Sequence, residues 1–384
     1  MEHRSHERTG QALHALVRPR RALRSAGPAR LARPLLLGLV ALSLLVGIAG
    51  GLLRAGLPLA DGVGLSRSAL AHAALMMGGF LGTVIGIERA VALRHKAAFI
   101  GPCCSGLAGL CLLLGRGEAG ARLGLLAALA FVAVNIVVVR RQRAAHTGLL
   151  LLGALAWLAG NLLFAAGIAP DAVLRCWFAF LVLTIAAERL EMTRLMRRRP
   201  GADISLYLIL AALLLGAALS PLLYGAGLAL LAGWLLRFDI ARRTVGAAGL
   251  SRYMAICLLG GYAWLALAGL AWAATALGLH AARDTALHAL GLGFIVSMMM
   301  GHAPVILPAV ARIKLQFGAC FYLPLAALHL SLLLRLGGAF VDESLRAWGA
   351  GLNAGAIALF ALTLIGAAFA WRRHHGATGA RKSL

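Results

Sequence analysis

Asp284-Thr285-Ala286-Leu287-His288-Ala289-Leu290-Gly291-Leu292-Gly293-Phe294-Ile295-Val296-Ser297-Met298-Met299-Met300-Gly301-His302-Ala303-Pro304 is long enough to cross a bilayer and carries two histidines in an otherwise apolar run. A spanning helix needs about 20 mainly apolar residues. Ionisable side chains at membrane depth are costly and mark functional positions. The stretch therefore fixes a class, a helical membrane protein, and poses a question: what His288 and His302 are for.

The rest of the chain agrees with the class. Its 384 residues are 61% hydrophobic and 13% charged, with a mean hydropathy of +0.87; soluble domains are roughly 45–50% apolar. The formal charge of +24 would suit nucleic acid. Here, however, arginine gathers in short loops between apolar runs, which is how orientation in a bilayer is encoded. The charge is read as topology, the partner as the lipid bilayer, and nucleic-acid binding as excluded. The cysteines Cys103, Cys104, Cys111, Cys176, Cys257 and Cys320 all fall in apolar runs, and no loop pairs them for a structural disulfide. Residues 1–33 lack the short apolar core and cleavage site of a signal peptide and read as a basic, disordered cytoplasmic tail. Residues 34–371 then form a single transmembrane domain, and residues 372–384 a second basic cytoplasmic tail.

Spans are expected near 34–54, 67–90, 97–115, 121–140, 147–167, 171–192, 203–221, 223–237, 253–278, 284–306, 317–337 and 347–371. With the N-terminus inside, the inside loops carry Arg89, Arg94 and Lys96; Arg140, Arg141 and Arg143; Arg194 and Arg197 to Arg199; Arg237, Arg242, Arg243 and Arg252; and Arg312 and Lys314. Asp61, Glu118, Asp171, Asp284, Asp342 and Glu343 fall outside. Every inside loop is basic, so both termini are expected in the cytoplasm of a cell with a cytoplasmic (inner) membrane. Cutting the chain into three four-helix blocks aligns Glu88-Arg89 in the second helix with Glu188-Arg189 in the sixth. It also puts His288 of the tenth helix about as far in as His72 of the second.

That match of depth is the sharpest sequence clue. Both imidazoles are expected roughly 6–8 Å below the outer face, where two helices can clamp a haem iron. Arg283, Arg335 and Arg346 lie at the same rim, where haem propionates need cationic partners. His329, about twelve residues into a helix rising from the inside, lies near that level and could serve as a third metal ligand or the axial ligand of a second haem. A core histidine bonded to a carbonyl is the competing reading. His302 is about 21 Å deeper and could ligate a second haem or metal, or satisfy carbonyls freed by Pro304 and Pro308 at what reads as a broken helix end. Glu88-Arg89 and Glu188-Arg189 sit at the inner ends of their helices, either as ion pairs across blocks or as the mouth of a proton or ion path. Met76, Met77 and Met298 to Met300 would suit copper(I), though core packing is the favoured reading.

Twelve spans in three blocks, with histidine in the second and tenth helices, resemble subunit I of the haem-copper oxidases and nitric oxide reductases. The stretches His288 to Gly293 and His72 to Gly86, with Met76, Gly78, Gly79 and Phe80, resemble more closely the NnrS family of haem- and copper-containing membrane proteins linked to nitric oxide stress. The resemblance implies haem b, with copper as a second metal, nitric oxide as a gaseous ligand, and a role in nitric oxide or metal stress. It does not extend to the binuclear centre. The sixth helix offers Arg175-Cys176-Trp177-Phe178 and the seventh no histidine, so the copper ligands of an oxidase or reductase are missing and turnover of that kind is not expected. The rival expectation is a twelve-helix secondary transporter whose site lies at the Glu-Arg pairs and the broken tenth helix. A membrane scaffold without a cofactor is the third.

Overall fold

The computed structural model describes residues 28–59, 62–192 and 201–380. The chain separates into a short unit, Met1–Leu37, and a large one, Gly38–Leu384. Of the short unit, the described part is the start of a helix. Of the expected tail at residues 1–33, residues 28–33 are the first turns of that helix, while residues 1–27, the basic cluster Arg194 and Arg197 to Arg199, and Asp61, Arg381 and Lys382 lie outside the described residues.

Among the described residues twelve helices are long and apolar enough to cross a membrane. They are α1 (Pro28–Arg54), α2 (Val63–Leu93), α3 (Lys96–Leu113), α4 (Gly117–Arg141), α5 (Ala145–Ala165), α6 (Pro170–Met192), α7 (Ala202–Leu219), α8 (Pro221–Phe238), α9 (Gly249–Ala276), α10 (Ala282–Pro308), α11 (Ala319–Gly338) and α12 (Glu343–Ala380). Each expected span has its helix. Several begin earlier than expected because polar residues near the ends find partners within the helix or its cap. Ser66 donates to the Gly62 carbonyl at 3.4 Å, Glu118 pairs with Arg122 one turn on at 3.1 Å, and Asp342 caps α12 by accepting from the Ser344 backbone N–H at 3.0 Å. At its far end α12 runs on through Arg372 and Arg373 to Ala380.

Sequential neighbours pack along most of the large unit: α3 on α4, α4 on α5, α5 on α6, α7 on α8, α8 on α9, α9 on α10 and α11 on α12. The most deeply buried helix is α6, whose side chains from Arg175 to Leu183 are all shielded. Small residues set the closest approaches, as is usual where no hydrophobic drive acts between helices. A Cβ on Gly293 would lie 2.4 Å from the Trp264 ring, and one on Gly51 would lie 2.7 Å from Cε1 of His72.

Two local features depart from the sequence reading. First, α2 and α10 each contain an eight-residue π-helical stretch, Leu75–Gly82 and Ala289–Val296, just after His72 and His288 respectively. Such wide turns re-aim the residues around them and recur at functional positions. Second, the expected break at Pro304 and Pro308 is absent: the α-helical stretch Ser297–Val310 contains both prolines. Pro304 costs the Met300 carbonyl its i+4 donor. The His302 ring, however, hydrogen-bonds Met298, not Met300 (2.8 Å), so it does not compensate for the proline. A carrier site built on a broken tenth helix has no such break to use.

Candidate functional site

The halves of α2 and α10 that hold Thr83–Leu93 and Ser297–Val310 pack on each other. The halves that hold His72 and His288 instead line a common cavity of about 430 Å³. Its volume falls within the range of small-molecule sites, roughly 300–1,000 Å³. The walls are apolar, from Leu52 of α1, Met76, Met77 and Phe80 of α2, Phe178 of α6, and Leu292 and Ile295 of α10. Four arginines join them: Arg54, Arg283, Arg335 and Arg346. An apolar body with a cationic lining suits a ligand that is itself apolar and carries acid groups.

The protonation of both imidazoles follows from their partners. Nδ1 of His72 lies 2.7 Å from the Gly47 carbonyl oxygen. A carbonyl only accepts, so Nδ1 carries the proton and the lone pair sits on Nε2. The ring is seated on Gly51, the one residue type that leaves room for it there. Nδ1 of His288 faces two acceptors of Asp284, the carboxylate oxygen Oδ1 at 2.9 Å and the backbone carbonyl at 3.1 Å. It too carries its proton on Nδ1. Its Nε2 accepts from Nη2 of Arg335 at 3.1 Å. Arg335 in turn holds Asp284 with Nε to Oδ2 at 3.1 Å and Nη2 to Oδ1 at 3.0 Å. A histidine that donates Nδ1–H to a carboxylate or carbonyl and keeps its lone pair on Nε2 is oriented as metal-ligating histidines are.

Of the remaining arginines, Arg283 pairs with Asp171 of α6, and Arg346 lies 4.0 Å from Glu343. Arg54 reaches the Ala69 carbonyl, at 3.5 Å. The sequence reading singled out Arg283, Arg335 and Arg346 by side of membrane alone, and all three line the cavity. It missed Arg54, the last residue of its helix, and the partnership of Asp284 with His288. The i,i+4 spacing of that pair puts both on one helix face and was the available signal.

His329 is not brought to this cavity. Its ring stacks on Trp264, with centroids 6.1 Å apart and planes 13° apart, and its Nδ1 accepts from Trp264 Nε1 at 2.6 Å. Its proton is therefore on Nε2, which faces Ser297 Oγ at 3.5 Å, and Ser297 passes its own proton to the Cys257 carbonyl at 3.0 Å. The lone pair that a metal would need is already spent on an indole. His302 also lies apart, beyond the π stretch of α10. Among the described residues no three His, Cys, Asp or Glu side chains converge as a metal-ion cluster.

The four residues at the other end of these helices are all paired. Arg89 donates to Glu188 at 3.2 Å, joining α2 to α6, and lies 4.0 Å from Glu88. Arg189 makes a two-pronged pair with Asp239, Nε to Oδ2 at 2.9 Å and Nη2 to Oδ1 at 3.1 Å, with 5% and 1% of the two side chains exposed. Asp239 also accepts from the Ala241 backbone at 2.7 Å. The buried amides Asn135 and Asn161 each donate to the carbonyl one turn back.

The chain belongs to the family described as "Domain of unknown function (DUF8744)", whose profile matches residues 30–369. No curated protein and no solved structure matches it.

Proposed function

We propose that this is a membrane-embedded haem b protein in which His72 and His288 would hold the haem. One observation carries the reading: two histidines from different helices, each with its proton fixed on Nδ1, line one apolar cavity together with four arginines. The residues present fit the group once Arg335, which donates to Nε2 of His288, turns to an acid group of the ligand. Nε2 of His72 has no hydrogen-bond partner among the described residues, and the arginines are the partners that propionates require. The matching π stretches behind the two histidines support equivalent roles for α2 and α10, and with them a three-block organisation like haem-copper oxidase subunit I and the NnrS-like proteins.

Bound there, a haem supplies one-electron chemistry and a position for a diatomic ligand. The chain's own part is to hold both rings upright, exclude water with Met76, Met77, Phe80 and Phe178, and neutralise acid groups. With basic loops facing the cytoplasm of an inner membrane, the cavity opens toward the outer side, where nitric oxide or another small gas would reach it. A role in nitric oxide stress follows from that reading.

The test is a reduced-minus-oxidised spectrum with pyridine haemochrome quantitation on detergent-purified protein. Wild type should show a sharp low-spin b-type band at about one haem per chain, and His72→Ala and His288→Ala should each lose it. Colourless protein from haem-replete cells sinks the proposal.

A further inference from the structure

The cavity is charged at one end and apolar along the rest. Every charged side chain in its lining lies near a helix end on one side: Arg54 is the last residue of α1, Arg283 and Asp284 lie in the first turn of α10, Arg335 in the last turn of α11 and Arg346 in the first turn of α12. Below that rim the lining continues along α12 from Arg346 to Ile357, roughly 16 Å at the rise of an α-helix. It is apolar there but for the two imidazoles and Asn353. Spread over that length, a volume of about 430 Å³ is one hydrocarbon chain wide.

The rim arginines differ in what they already hold. Arg335 is spent on Asp284 and on Nε2 of His288, and Arg283 on Asp171. Arg54 reaches a backbone carbonyl and has no carboxylate at ion-pair distance among the described residues. Arg346 stands 4.0 Å from Glu343, whose side chain is 94% exposed and shares its charge with water. Two guanidiniums, from α1 and α12, thus face an apolar cavity without a close counter-charge.

We propose that the cavity takes a single-chain lipid phosphate from the leaflet at that end, its head between Arg54 and Arg346 and its chain along α12 and α2. A phosphate monoester carries about −1.5 to −2 charges at neutral pH, which answers both guanidiniums, and their planar forks match its oxygens. A carboxylate would answer one and leave the other. The inference goes beyond the haem reading and does not rest on it, since Arg335 keeps its place on His288 and no metal takes part. The two ligands would compete for one volume.

Titration of radiolabelled monododecyl phosphate into protein held in phosphatidylcholine nanodiscs, with empty nanodiscs subtracted, tests this. His72→Ala, which the haem reading leaves without haem, is titrated beside wild type so that the cavity is open on either reading. Saturable binding at about one per chain is expected in His72→Ala. Arg54→Gln and Arg346→Gln in that background should each weaken it about tenfold, the weight of one hydrogen bond to a charged group. Arg122→Gln, outside the lining, should not, and dodecanol and dodecanoate should compete poorly. No saturable binding, an Arg54→Gln protein that binds as its parent does, or dodecanoate that binds as tightly overturns the inference. Arg54 is exposed, so its variant decides if Arg346→Gln does not fold. A haem-bearing wild type whose His72→Ala form takes no lipid phosphate sinks this inference and spares the haem reading; a colourless wild type that binds it does the reverse.

Discussion

The two ends of α2 and α10 handle polar groups in opposite ways. At the Glu88 end charge answers charge: Arg189 and Asp239 satisfy each other in a two-pronged pair, and Arg89 bridges to Glu188. At the His72 end Arg335 and Asp284 pair as well, but on the wall of a cavity, and Nε2 of His72 has no hydrogen-bond partner among the described residues. The first arrangement locks helices together. The second keeps donors and lone pairs in reserve for something that enters.

The comparison breaks first on stability. Asp239→Ala should be the most destabilising single change discussed here, about 3–5 kcal/mol, because it removes both prongs of a buried ion pair from the Arg189 guanidinium. The double change Arg189→Met with Asp239→Leu should recover most of that loss. Thermal unfolding of the purified variants in detergent reads both. His288→Ala should melt close to wild type while losing its colour. Should Asp239→Ala prove no less stable than His288→Ala, the division into a locking end and a binding end is wrong.

His329 supplies the next test, since it was a candidate ligand by sequence and a core residue by structure. Removing it leaves the Trp264 indole N–H without its acceptor, a cost of about 1–3 kcal/mol. His329→Ala should therefore lower the melting temperature and leave the haem spectrum unchanged. Loss of the spectrum with the fold intact would return His329 to the site.

How much of this was readable from residues alone depends on the range of the interaction. The twelve helices were legible because each is an apolar run of spanning length, bounded by the arginines that orient it. Counting depth along the helices put His72 and His288 at one level, and the two do line one cavity, but the count itself did not hold. The two helices in fact begin earlier than expected, at Val63 and Ala282, which puts His72 in the third turn and His288 in the second. The cavity nonetheless brings both rings to one place. What could not be read was set by contacts distant in sequence, such as Arg335 on Asp284 and Asp239 on Arg189. The π stretches were hidden too, since Leu75–Gly82 and Ala289–Val296 have the composition of any buried helix. Pro304 and Pro308 misled because proline in a membrane helix is tolerated where neighbouring helices and local adjustment re-satisfy the backbone.

The smallest expected effect concerns the ion pair that the sequence did anticipate across blocks. Glu188 is 31% exposed and Arg89 15%, so solvent and headgroups share in their charge and the pair contributes about 1 kcal/mol or less. Glu88, 4.0 Å from the same guanidinium, can take up the contact when its neighbour is neutralised. Glu188→Gln should thus shift the melting temperature by a degree or two at most and leave both the haem spectrum and carbon monoxide binding as in wild type. A carboxylate at the mouth of a proton path would behave differently, slowing any reaction at the haem that takes up protons while stability stayed the same. Stopped-flow reoxidation of the reduced variant beside wild type, followed in the Soret band, separates the two. A rate that falls tenfold or more would mean that the locking end of α2 also conducts protons, and equal rates would leave it a structural clasp.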